Sequence, residues 1–171
     1  MGKTFDIKPL QIRTVAANKR CMGIEDSIRY TKGAGKTEKM LSIFCHHVNG
    51  SIMSLEMADE LFDRGKFSKD TVEERISTME FELGNMERFM DDIENGMFPD
   101  EITLIEYGTK FTYKAVECDG TVKIKRKITQ DGINEEKKRI RHIISKGGAY
   151  YYEEMLKELN SGEFGKRYIL S

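Results

Sequence analysis

Two short stretches carry residue types that chemistry could use. Gly33-Ala34-Gly35-Lys36-Thr37 offers glycines, a lysine and a hydroxyl, the ingredients of a phosphate-binding loop. Such a loop needs an earlier glycine, five positions before the Gly-Lys pair, so that consecutive N–H groups wrap the phosphates. Tyr30 stands there. No apolar strand ending in Asp follows to hold magnesium. The expectation is a flexible basic loop without nucleotide hydrolysis. Cys45-His46-His47 offers soft and imidazole ligands. On a strand Cys45 and His47 would share one face and His46 the other. Zinc needs four ligands, or three and a water, and His142, Cys21 and Cys118 show no pairing pattern toward this triplet. No metal and no cofactor is expected, and no glycine-elbow or Ser-His-Asp pattern supports hydrolysis.

Charge points elsewhere. The formal net charge is only -1, yet it is divided sharply along the chain. Acidic residues dominate 54–101, and basic residues dominate 1–53 and 110–146. Local fields attract partners even on a nearly neutral molecule. In 121–128, alternation places Lys123, Lys125 and Lys127 on one face, and Lys114 of a paired strand extends it. Val122, Ile124 and Ile128 then face a core, with Arg126 at the margin. The next helix adds Lys138, Arg139 and Arg141. Such a surface suits phosphates spaced along a nucleic-acid backbone. Phe111, Tyr113 and the run Tyr150-Tyr151-Tyr152 could stack bases where exposed.

The elements that must position these residues follow from periodicity. Val72, Ile76, Met79, Leu83, Met86, Met90, Ile93 and Met97 recur at alternating intervals of four and three. That pattern predicts one long helix over about 69–96, packed across a sheet or seamed to a second copy. Glu80, Glu87, Asp91, Asp92 and Glu94 lie off the seam and form a candidate protein-partner surface. After Pro99 the period becomes two. Strands are expected at 102–107, 110–117 and 121–128, with Asp119-Gly120 as a hairpin turn. Residues 4–16 alternate as an edge strand with Pro9 at its margin, and residues 17–31 are expected to be helical. The run 40–48 suggests a buried strand ended by Asn49-Gly50, and Ser54 would cap a short helix to Arg64. A helix starting near Asp131 or Asn134 and ending at Gly147-Gly148, another from Tyr150 to Leu159, and a tail strand at 166–170 complete the list. The fold class is therefore α+β in a single domain over 1–171. An antiparallel sheet, a three-stranded meander at about 102–128 plus N-terminal strands, is packed by one long helix and shorter ones.

Composition narrows the class. Apolar residues make up 39% and charged residues 33%, which suits a globular chain with a heavily charged surface. The three cysteines are odd in number and widely spaced, which argues against a disulfide framework and for a reducing cytoplasm. Uncharged apolar runs are too short for a membrane span. Pro9-Leu10-Gln11-Ile12, then Ile28-Arg29-Tyr30 before Gly35-Lys36-Thr37, then Ala58-Asp59-Glu60-Leu61-Phe62 resembles the opening of a plasmid-mobilising relaxase. That family's His-hydrophobic-His cluster has no counterpart downstream, so relaxase activity is not carried over. The functional expectation is a non-enzymatic regulator. It would bind nucleic acid or a nucleoprotein complex through the basic surfaces and a protein partner through the acidic helix, with a homodimer possible. The alternatives are a phage or mobile-element inhibitor of anti-CRISPR or anti-restriction type, acting by nucleic-acid mimicry, and a phosphate- or metal-dependent enzyme.

Overall fold

A computed structural model describes residues 5–106, 108–148, 150–162 and 167–170. Three long helices come first: α1 (Lys8–Ile28), α2 (Gly35–Asp63) and α3 (Lys69–Glu94). The strands β1 (Glu101–Glu106), β2 (Thr109–Cys118) and β3 (Thr121–Ile128) follow, then α4 (Ile133–Ser145), α5 (Tyr150–Ser161) and β4 (Tyr168–Leu170).

The N-terminal strands expected at 4–16 and 40–48 are helices instead. Pro9 sits in the first turn of α1, where its missing N–H costs nothing. Leu10, Thr14, Ala17, Cys21, Ile24 and Ile28 then bury one stripe at intervals of four and three. In α2 the run Met40–Val48 is dense enough to imitate a buried strand. Its deciding members, Leu41, Phe44 and Val48, continue through Ile52 and Leu55 with helical spacing. Asn49-Gly50 is therefore helix interior, and Ser54 caps nothing. The lysine-glycine loop is also shorter than expected, because Gly35, Lys36 and Thr37 open α2.

α3 matches its heptad signal closely. Ser68 caps it, accepting from the Thr71 N–H at 3.3 Å. Val72, Met79, Leu83, Met86, Met90 and Ile93 are buried, Ile76 is half-buried, and Met97 lies exposed past the helix end. The seam is satisfied within the chain, against α1 and α2. Phe89 widens the buried face and meets Phe44 edge-on at 6.0 Å.

The sheet order is β1-β2-β3-β4, with the first two pairings antiparallel and β4 parallel to β3. The sheet is thus mixed. Asp119 and Gly120 both take positive φ, 51° and 78°, as a tight hairpin turn requires. Two hydrophobic clusters lie on the same sheet face. Ile102, Leu104 and Ala115 join the large cluster of α1–α3. Ile128 and Tyr168 join a smaller one with Ile133, Ile140, Met155 and Leu159. Among the described residues no helix is long and apolar enough to cross a membrane.

Candidate nucleic-acid interface

Strand register decides which side chains share a surface. Lys114 pairs directly with Lys125, and Lys123 and Lys127 stand two positions to either side of Lys125. Period-two alternation puts all four on the face opposite the hydrophobic clusters. Thr103 and Thr112, paired by register, share a side-chain hydrogen bond on that face. Glu101 is the counter-charge there, 3.6 Å from Lys114 and 3.1 Å from Lys127. Lys123 is exposed, Lys114 and Lys127 are partly exposed, and Lys125 is buried. Like charges directly opposite on neighbouring strands repel, which concentrates positive potential on this face.

The helical basic residues do not join this surface. α4 packs on the apolar face, through Ile140 and Glu136, so Lys138 and Arg141 lie on the opposite layer. Lys138 is 3.5 Å from Glu135, with both side chains exposed. Arg139 donates to Glu136 at 2.7 Å and stacks over Phe111 at 4.8 Å. Phe111 and Tyr113 share the covered face and hold cations there, so they offer no base-stacking platform. The acidic helix is partly engaged as well. Glu87 is 2.5 Å from Arg13, and Arg20 binds both Asp91 at 2.5 Å and Glu94 at 2.8 Å. Glu80 is exposed and Asp92 partly so.

Arg126, expected at the margin, is a buried hub. Its guanidinium reaches Glu106 at 2.8 Å, Glu136 at 2.7 Å and the Tyr113 hydroxyl at 2.6 Å, and lies 4.1 Å over the Phe111 ring. Tyr113 in turn donates to Glu106, and Tyr168 donates to Glu136 at 3.2 Å. Burial works against charge on Glu136, yet the bonds from Arg139 and the fields of Arg126 and Arg139 hold its carboxyl below the usual range. Alternation alone could have placed Arg126 inward, since it falls between outward lysines. What it lacked in sequence was any sign of the acids that meet it.

A cleft of about 570 Å³ opens between α2, α3 and the β1–β2 hairpin, lined by His46, His47, Ser51, Ser54, Arg75 and Ile105 among others. Bonded to His47 and Ser51 of that lining, Glu82 is fully buried. One of its oxygens accepts from Ser51 at 3.0 Å, and the other lies 2.7 Å from His47 Nε2 as a close ion pair. Burial opposes protonation of His47, but Glu82, Glu106 and the Ile105 backbone together raise its pKa above the ordinary value. The pair can hold a proton. Arg75 and Glu74 at the lining cancel, so the cleft has no marked preference for charge. Glu82 had a readable signal, because Met79, Glu82, Met86, Phe89 and Ile93 form a second stripe at intervals of three and four.

The two sequence motifs come apart. Thr37 is buried and donates to the Pro99 carbonyl at 2.8 Å, which occupies the hydroxyl a magnesium site would need. His46 and His47 line the cleft, whereas Cys45 turns toward α1. Among the described residues no group of three or more His, Cys, Asp or Glu side chains could hold a metal ion. Comparison with protein-family models, curated proteins and solved structures finds no match to this chain.

Proposed function

We propose that the protein is a non-enzymatic binding protein that docks on nucleic acid, alone or within a nucleoprotein complex, through the lysine face of its sheet. The observation that carries this reading is the register, which sets Lys114 against Lys125 and flanks them with Lys123 and Lys127. Glu101 supplies the face with one countering carboxylate. A phosphate backbone laid along the exposed lysines would release counterions. Among the described residues that face carries no aromatic platform, so contacts go to phosphates and carry little sequence preference. A protein partner would meet the chain at α3, where Glu80 and Asp92 complement a basic surface. The inhibitor reading through mimicry draws less support, since Arg13 and Arg20 already engage Glu87, Asp91 and Glu94.

The test is a salt series of binding to single- and double-stranded DNA and RNA. Lys114→Glu, Lys123→Glu and Lys127→Glu together should weaken binding at least roughly tenfold and flatten the salt dependence. Lys125 is left in place because it is buried. Lys138→Glu with Arg141→Glu, on the other layer, should change little. Equal affinity of the triple variant at every salt concentration would reduce the face to solvated lysines.

A further inference from the structure

We infer that a second copy of this chain docks on the outward face of α1 and α2, joining the two helix pairs across a two-fold axis. Both helices carry a second stripe on the side away from the core. On α1, Lys8, Ile12, Val15, Lys19 and Met22 recur at alternating intervals of four and three. On α2, His46, Gly50, Met53, Met57 and Glu60 do the same. That is the seam spacing of helices that pack on other helices. Every residue of both stripes is exposed, and Ile12, Val15, Met22, Met53 and Met57 stand at 60–67%. The inner stripes are already buried in the bundle, through Leu10, Ala17 and Ile24 on α1 and Leu41, Phe44 and Val48 on α2. Large apolar side chains gathered on one face of a folded chain mark an interaction surface.

The fold sets the two stripes side by side. Gln11 donates to Glu56 at 2.7 Å and Asn18 donates to Asn49 at 2.7 Å, so the helices run antiparallel in a fixed register. Lys8 therefore stands at the level of Glu60, Ile12 and Val15 at the level of Met53 and Met57, and Met22 at the level of His46. A shallow depression of about 450 Å³ runs along α1 between Lys8 and Lys19, over Ile12, Val15 and Ala16. It has the place and the apolar lining to seat the second copy's Met53 and Met57.

Charge selects the occupant. Lys8 and Lys19 on α1 have no ion pair among the described residues. The acids of the face, Glu56 and Glu60, lie on α2, and the ion pair of Glu60 is with exposed Arg64 one turn on, a surface pair that yields readily. A partner of a single charge sign would answer only one of the two helices. A two-fold axis running along the helices lays α1 over the second copy's α2, level for level. Lys8 then meets Glu60, Ile12 and Val15 meet Met53 and Met57, and all neighbouring helices run antiparallel. The face is about 21 Å long at 1.5 Å per residue and two helices wide. Two such faces bury on the order of 1,000 Å² together, the lower end for a specific interface, so the dimer is reversible.

Sedimentation equilibrium of the full chain over a wide micromolar range tests this. Wild type should pass from monomer toward dimer as concentration rises. Val15→Glu with Met53→Glu, both at exposed positions, should keep the circular dichroism of the fold and raise the dissociation constant at least roughly tenfold. Lys8→Glu and Glu60→Lys should each weaken the dimer roughly tenfold, since symmetry repeats the contact, and the two together should restore it. A chain that stays monomeric at every concentration overturns the inference, and so does a dimer that Val15→Glu with Met53→Glu leaves intact. A double charge variant no tighter than either single one overturns the arrangement. A monomer that binds anionic vesicles through Val15 and Met53 assigns the face to a lipid surface instead. The wild-type series and the charge swap decide the matter even if the apolar variant fails to fold.

Discussion

The α1–α3 bundle closes mainly over apolar side chains, with the His47–Glu82 pair at one side, whereas the α4–α5 flank closes around a charged hub. In the bundle, Met79, Leu83, Met86 and Met90 are wholly buried, and the Arg13 and Arg20 ion pairs sit at a half-exposed rim. In the flank, a cluster of Ile128, Ile133, Ile140, Met155, Leu159 and Tyr168 is supplemented by Arg126 between Glu106 and Glu136. Three long helices offer enough apolar stripe to form a continuous core. Two short helices against a strand edge do not, so the polar network fixes their orientation. A buried charge network of this kind adds little net stability, because desolvation offsets attraction, but breaking it is costly.

The sharpest way to break the comparison is at Leu83. Leu83→Asp leaves a carboxylate without a partner in the middle of the bundle, and should cost more than about 4 kcal/mol, enough to unfold the chain. Melting followed by circular dichroism reads this out. Unchanged melting would mean the stripe is not core, and a dimer falling to monomer would restore the seam to a second copy.

Next in size is the contrast between two arginines. Arg126→Ala removes the guanidinium shared by Glu106, Glu136 and Tyr113 and leaves Glu136 to Arg139 and Tyr168, and should cost about 2–3 kcal/mol. Amide exchange should quicken in β3, β4, α4 and α5 before it does in α1–α3. Arg20→Ala should cost about 0–1 kcal/mol, since Asp91 and Glu94 can turn to water. Equal losses for the two variants would erase the distinction between hub and rim.

The smallest effect belongs to His47, which ties α2 to the buried Glu82 of α3. Its pKa is raised on folding, so its contribution is complete below its ordinary value of 6.5 and is lost as pH rises through the folded value. The melting temperature of wild type relative to His47→Gln should therefore fall as pH rises above 6.5. A constant difference across that window would mean His47 folds neutral.

Legibility along the chain followed the reach of the signal. The β1–β3 meander was readable because half-buried strands alternate and Asp119-Gly120 marks the turn. α3 was readable because its seam recurs without interruption behind the Ser68 cap. α4, α5 and β4 fell close to their expected places, with residues 163–166 of the approach to β4 outside the described residues. α2 was misread because Met40–Val48 is locally dense and Asn49-Gly50 imitates a turn. Only packing against α1 and α3 rewards the longer helical spacing over the local one.

The sequence by itself determined an α+β chain, the heptad helix, the meander and the alternation that sets Lys123, Lys125 and Lys127 on one face, since each depends on residues a few positions apart. Tertiary structure alone decided that α4 turns its basic residues to the other layer, that Arg126 meets Glu106 and Glu136, that His47 meets Glu82, and that Cys45 meets Asn18. Those encounters join residues distant in the chain, and what brings them together is the burial of helix stripes and sheet face, a force that has no direction in sequence.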